Sequence, residues 1–520
     1  MGSTWSDDSS VKTVNRNVKK IWKDGTGRTG DRSVGSHFNG WQTPVQSFAA
    51  NERNLDVQLR ENRCIGDYQI SDDLWNKSCG VVDEISRVFH KTLTTVSAKH
   101  HPCLIFGDFV KQGSSREGLK VRDPDEFDMI LPFTIEGVDI QSVPALDSSG
   151  EQIPAHVTLR VPEAQMGNVE TDFKYDSFRR NNVFDRQGSD LYLNAKNFHT
   201  KVILSIMDTT ISLIQNEIEA ETENEPCSFT LTKASVFPPT YRFKIKIKSD
   251  DDFDDLLYGQ QMFRRCQRES RDVVRFEGCY GEAWNLSNKV IEFDIVPGIL
   301  LKTDLVSNPD SWIPMTCDRY AVMKWVHKER YTAEYSHPEL MWRESSCGYE
   351  KHIIDIGQRD RNSLFILTAC RIIKAYLDGM DRSSQLRSLM TSYHIKNITI
   401  HCLLFKLQVS GVKEALGYLI GFLETSIDAR FLPHYFYGNP NVISMFKVLS
   451  GFEKEKRLNL FRDISETHFI QAAMSLQRMK ADLQGLFTEL SQLRDQGCIE
   501  AFRQFCTLYP EDRSDKCILM

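Results

Sequence analysis

Excess positive charge, membrane-length apolar runs and paired cysteines are what this chain has little of, and each scarcity removes a class of function. Its 64 Lys and Arg are outnumbered by 71 Asp and Glu, a formal net charge of −7. That excludes a generically basic nucleic-acid coat, so any such contact has to come from a local patch. No apolar N-terminal signal and no bilayer-spanning run is spelled. The cysteines number 13, an odd count with no C-x-x-C pair. Together these features predict a reduced, cytoplasmic protein, in which the Asn397-Ile398-Thr399 sequon is inert. What the chain does have is bulk. With 520 residues, 41% of them hydrophobic, it can bury a large core and on size alone hold two or three domains.

The most informative stretch is 107–133, GDFVKQGSSREGLKVRDPDEFDMILPF. Gly113-Ser114-Ser115 is a short turn able to set backbone N–H groups and a hydroxyl against phosphate oxygens. Asp125-Glu126-Phe127-Asp128 then leads into Met129-Ile130-Leu131, which reads as a strand entering a sheet. Alternation puts Glu126 and Asp128 on one face and Phe127 and Met129 on the other. Two carboxylates so placed can hold a pair of divalent cations, as nucleotidyl transfer requires; the plain alternative is a capped turn followed by an edge strand. A two-metal site needs a third acid. Asp294, in Val290-Ile291-Glu292-Phe293-Asp294-Ile295-Val296-Pro297, is the best candidate, because a lone acid in an apolar strand is costly unless paired or metal-bound. It can equally be a strand-end cap.

Taken in order, residues 1–70 read as a disordered, mildly basic arm, with seven basic residues against two acids between Lys12 and Arg32. It is either a tether to nucleic acid or a solvated tail. Met1-Gly2-Ser3-Thr4-Trp5-Ser6 also spells a myristoylation site. Ser71 caps a long helix expected over 71–99, with first-turn acids Asp72 and Asp73. On it Lys77, Arg87, Lys91 and Lys99 fall within one arc of about 120°. A β-rich stretch follows, with strands expected at 157–161 and 241–248 and a helix at 194–217. The 241–248 strand carries Arg242, Lys244, Lys246 and Lys248 on one face, which lines a polyanion or meets water near the acidic run 250–255. The segment 249–288 is charged and aperiodic. Helices are expected near 317–329, 361–380, 384–407, 412–427 and 441–462, with a helical extension over 466–495. The final Cys517-Ile518-Leu519-Met520 fits a prenylation box that favours farnesyl and implies weak membrane association.

The segments GSSRE, DEFD and EFDIVPG, in that order, resemble the cyclic GMP-AMP synthase family and its animal cGAS-like receptors. Further matches are W-R-E-S-S-C-G-Y-E over 342–350, the helix A-C-R-I-I-K-A-Y-L over 369–377 and S-Y-H-I-K over 392–396. The resemblance covers roughly residues 71–460. It implies a mixed α+β, bilobal nucleotidyltransferase fold, with a catalytic lobe over 71–315 that includes the spine helix, a helical lobe over 316–462 and an extension over 463–520. It implies two Mg²⁺ or Mn²⁺ ions on Glu126, Asp128 and Asp294 and a triphosphate on Gly113 and Ser114, with further phosphate contacts from Lys374 and Ser392. One base would stack on Tyr393, and the other would be lined by Arg343, Ser345 and Glu350. Read singly, Tyr393 can be core, Lys374 a solvated helix residue and Arg343 a surface ion-pair partner. By position, the basic arc Lys77, Arg87, Lys91 and Lys99 would meet the activating ligand.

Departures from the family pattern narrow these expectations. The vertebrate enzyme inserts a zinc-binding thumb between the segments equivalent to Glu350 and Cys370. Here that interval holds His352 and no cysteine, so no zinc is expected. DNA sensing is thereby disfavoured and double-stranded RNA becomes the expected activator. Ser346 and Cys347 replace a Phe and a Ser of the family motif, which leaves the base preference open. The expected activity is ligand-activated synthesis of a cyclic dinucleotide from ATP and GTP in innate immune signalling, with ligand-induced oligomers. The alternatives are a nucleotidyltransferase that extends an RNA end and a catalytically silent interaction scaffold.

Overall fold

The computed structural model describes residues 40–148, 150, 152–222, 228–237, 239–248, 290–306, 315–324, 337–439, 441–442, 457–461 and 464–507. The 249–288 segment, most of the helix expected at 441–462, most of the basic arm and Cys517 lie outside the described residues. The fold is mixed α+β. Among the described residues twelve strands form one sheet: β1 (Leu104–Phe106), β2 (Val110–Gln112), β3 (Glu126–Ile135), β4 (Gln141–Leu146), β5 (Gln152–Val161), β6 (Phe184–Gln187), β7 (Asp190–Leu193), β8 (Ser228–Phe237), β9 (Thr240–Lys248), β10 (Val290–Val306), β11 (Met315–Val322) and β12 (Met341–Ser345). Their order is β1-β3-β10-β11-β12-β5-β7-β6, with β2 on β3, β4 on β5, and β8 paired to β9 beside β10.

The sheet packs on the spine helix Asp72–His100, which Ser71 caps by accepting the Leu74 N–H and which buries Trp75, Val82, Ile85, Phe89, Leu93 and Val96. These recur every three to seven residues, so one stripe faces the apolar side chains of the strands. The helix 195–222 shares this core through Phe198, Val202, Ile203, Ile206 and Met207. A second core lies among the helices Cys347–Gly357, Arg361–Gly379, Ser392–Leu404, Val412–Ala429, Glu466–Asp482 and Gln496–Thr507.

Four expectations need correction. Residues 317–329 do not begin as a helix: β11 runs through Met315–Val322, paired with β10 and β12, and Arg319 bridges to Glu344 on β12 at 3.0 Å. Ladder pairing outweighs local propensity here, so the sheet lobe extends to Ser345 and the helical lobe starts after it, not at 316. The helix expected at 384–407 is two, Gln385–Leu389 and Ser392–Leu404, because Thr391 and His394 form a reciprocal cap that starts the second. The extension helix ends at Asp482 rather than 495. Residues 40–70 are not a disordered arm. An extended segment over 40–49 leads into the helix Arg53–Glu61, which buries Leu55 and Leu59, and Glu52 accepts the N–H groups of Val412 and Lys413 at 2.9 Å each. A sparse apolar pattern suffices there because a partner surface is already present.

Candidate active site

β3 and β10 run parallel and in register, and both spell Glu-Phe-Asp: Glu126 pairs with Glu292, Phe127 with Phe293 and Asp128 with Asp294. The two phenylalanines are buried in the sheet core, so alternation turns all four acids to the opposite face. Ligand oxygens of Glu126, Asp128 and Asp294 lie within 4.8 Å of one another, the one such cluster of metal-ligating side chains among the described residues. Burial, then the charges of Glu126 and Asp294, push the Asp128 carboxyl up to about 7. Burial also raises Asp294, against the pull of Arg242. Crowded carboxylate oxygens that resist ionising without a cation fit a hard divalent ion, so Mg²⁺ or Mn²⁺ suits this set.

The turn beside the triad is built by Gly113. Its φ is +71°, and a Cβ there would lie 1.9 Å from Asp128 Oδ2, so only glycine lets the backbone approach so closely. One helical turn, Gly113–Arg116, follows. Ser115 is buried and donates to the Glu126 carbonyl at 2.7 Å, while Ser114 stays half-exposed. Arg116, 1% exposed, forks onto both oxygens of Asp355 at 3.2 Å and so ties the turn to the helix Cys347–Gly357.

No family model matches the chain. It is similar to the inositol 1,4,5-trisphosphate receptor-interacting protein of Takifugu rubripes, 28% identical over 133 residues, which are 24% of each chain. The protein of that name from Danio rerio is 26% identical over 137 residues, 26% of this chain and 25% of its own. The chain thus spans about a quarter of the length of the curated relatives it matches. Among solved structures it is similar to the E. coli MS115-1 CdnC:HORMA-deltaN complex, with a TM-score of 0.35, 10% identity and coverage of 87% of this chain and 95% of that one. It is also similar to the Elizabethkingia meningoseptica CdnE cyclic dinucleotide synthase with GTP and Apcpp, with a TM-score of 0.30, 10% identity and coverage of 76% and 90%.

A second set joins β12 to the helical lobe. Glu350 accepts from the Tyr393 hydroxyl at 3.0 Å and from Lys396 Nζ at 2.6 Å. The same hydroxyl lies 2.8 Å from His434 Nε2, whose ring burial holds well below its usual pKa. The Arg343 guanidinium, on β12, is close enough for its charge to act on both Tyr393 and His434. Ser345, half-exposed, is the last residue of β12, two positions before Cys347. Lys396 also reaches the buried Glu117 at 3.1 Å, directly after the Gly113–Arg116 turn, and its charge acts on Asp128. It therefore links the two sets.

The remaining expected residues stand apart. Lys374 is buried under the turn and donates to the Leu119 carbonyl at 2.8 Å; burial lowers its pKa to about 8. Ser392 is exposed at the first residue of its helix. Along the spine helix Lys77 pairs with Asp73 and Arg87 with Glu84, while Lys91 and Lys99 are exposed.

Sequence reading missed Arg242, Lys396, Arg116 and Glu117. Arg242 lies on the basic face of β9, but that face turns to Glu126, Glu292 and Asp294, with Lys244 also on Glu292. The available signal was the repeated Glu-Phe-Asp, which predicts a paired acidic surface for a basic strand to cover.

Proposed function

We propose that this chain is a nucleotidyltransferase that joins nucleoside triphosphates into a cyclic dinucleotide when an activator binds. The observation that carries the reading is the meeting of three carboxylates from two register-paired strands within 4.8 Å, against a glycine turn whose backbone closes directly on Asp128. Mg²⁺ or Mn²⁺ ions on Glu126, Asp128 and Asp294 would supply the charge that neutralises a triphosphate and activates an acceptor hydroxyl. The N–H groups at the start of the Gly113–Arg116 turn and the Ser114 hydroxyl bind phosphate oxygens. Lys374 braces that turn from beneath through Leu119. Tyr393 offers one ring face to a base, with Lys396 Nζ 5.2 Å from its ring centroid and the hydroxyl fixed by Glu350 and His434. Arg343 presents a fork suited to a guanine edge, which favours ATP and GTP as the pair.

The test is incubation with labelled nucleoside triphosphates, Mn²⁺ and a panel of nucleic acids, followed by nuclease and phosphatase digestion. Free, phosphatase-resistant dinucleotide that disappears in Asp294→Asn is expected. Product attached to a primer would replace the reading with RNA-end extension. The competing interaction-scaffold reading takes its support from the quarter-length likeness to receptor-interacting proteins, and predicts no turnover under any activator.

For the activator, the reading is double-stranded RNA on the exposed side of the spine helix, by phosphate contacts. Lys77, Arg87, Lys91 and Lys99 would share the contact, Lys77 and Arg87 by exchanging Asp73 and Glu84 for phosphates. The log–log salt slope of RNA binding should then be steep, about −4 when all four meet phosphates. Binding that ignores salt, or that survives reversal of all four charges, overturns this placement.

A further inference from the structure

Arg242 is placed by strand pairing directly across from Asp294, on the antiparallel neighbour of β10. Its guanidinium divides between three acids. Nε and Nη2 donate to the two oxygens of Asp294 at 2.8 and 2.7 Å, Nη2 also reaches Glu126 at 3.2 Å, and Nη1 lies 3.1 Å from Glu292. Two members of the triad thus have lone pairs engaged by an internal cation, and those are the oxygens a divalent ion would need. A positive charge fixed there opposes metal binding twice, by occupying ligand atoms and by repelling the incoming charge.

The same geometry provides a second resting place. Glu292 faces the same side as Asp294, two residues earlier on β10, and already holds one arm of Arg242 together with Lys244 Nζ at 2.8 Å. The Arg242 side chain is 36% exposed and Glu292 25%, so side-chain rotation alone can carry the guanidinium from the triad to Glu292 without moving the strand. We propose that Arg242 is a latch on the metal site: it closes the triad by gripping Asp294 and Glu126, and metal entry shifts it onto Glu292. This rests on the metal-triad reading given above and adds a residue that sets how tightly the triad takes its ions. Glu292 would be the positioning residue that makes the open state acceptable to a charged side chain.

The experiment is Mn²⁺ titration at pH 8, followed by electron paramagnetic resonance of the free ion, without nucleotide. It uses the full chain as wild type, Arg242→Gln, Glu292→Gln and the double variant. Arg242→Gln is expected to bind Mn²⁺ about tenfold tighter than wild type, and Glu292→Gln about tenfold weaker. In the Arg242→Gln background, Glu292→Gln should cost far less, because there is no guanidinium left to receive. A general field effect of Glu292 would cost the same in both backgrounds, and the double-mutant cycle separates the two. Equal or weaker binding in Arg242→Gln overturns the latch and leaves the triad standing; absence of Mn²⁺ binding in all four proteins overturns both. Should Arg242→Gln fail to fold, Arg242→Lys keeps the charge and loses the fork. It must then bind Mn²⁺ more tightly than wild type, by a smaller factor, and equal affinity overturns the latch.

Discussion

Asp128 and Asp294 are register partners on adjacent strands, yet the protein treats their charges differently. Asp294 is met by the Arg242 fork, whereas Asp128 faces mainly burial and its acidic neighbours. Its folded pKa of about 7 stands above its ordinary value of 3.8, so the folded state holds a proton that the unfolded chain gives up in between. In chelator, stability should fall as pH rises from about 4 to about 7 and then level off. Asp128→Asn should flatten that fall and melt higher than wild type at pH 8. Asp294→Asn, which strips Arg242 of its best acceptor, should show no such gain; thermal melts across pH check both. Gly113→Ala should cost about 1 to 2 kcal/mol for the left-handed backbone alone. The collision with Asp128 should remove most of the turnover as well, measured beside the melting temperature. These residues were legible in sequence because a glycine turn and an E-x-D alternation are local. Arg242 was not, since its role depends on strands separated by 52 residues being laid side by side.

At the scale of elements, the site depends on joints between the sheet lobe and the helical lobe. The Arg116–Asp355 fork fastens the one-turn helix after Gly113 to the helix Cys347–Gly357 and is almost fully buried, with side chains 1% and 11% exposed. Removing one partner of such a pair leaves the other as a buried charge without its bidentate acceptor. Asp355→Ala should therefore destabilise the protein by about 3 kcal/mol, read from the urea midpoint. A loss under about 0.5 kcal/mol would place this pair with solvent-screened bridges. The spine helix and the helices Arg361–Gly379 and Val412–Ala429 fell close to the expected ranges, because the spine buries one stripe and the other two are long apolar runs buried on nearly every side. β11 did not, since a strand buried between two others owes its conformation to its neighbours' free N–H and C=O groups.

At the scale of the molecule, the segment 40–49 crosses both lobes and backs the Gly113–Arg116 turn. Trp41 packs edge-on against Phe127 at 4.9 Å and donates to Asp83 at 2.8 Å. The N–H groups of Gln42 and Val45 donate to the carbonyls of Ser115 and Gly118 at 3.2 and 2.8 Å. Further along, Ser47 N–H donates to Thr368 and Arg371 donates to the Val45 carbonyl, both on the helical side. Polar composition hid this segment, because its order comes from backbone hydrogen bonds to surfaces formed by residues 70 to 330 positions later. None of these contacts touches the side chains of Glu126, Asp128 or Asp294, so the segment acts on the turn's position and not on the carboxylate triad. Two truncations separate these effects: one lacks residues 1–39, and the other lacks 1–49 and with them the strap. The second should lose about a hundredfold in nucleotide turnover relative to the first, the order expected when a binding element shifts by about 1 Å. Both should take up Mn²⁺ with equal affinity. Equal turnover in the two truncations would show that the turn holds its shape without the strap, and that the contacts of Gln42 and Val45 are packing alone.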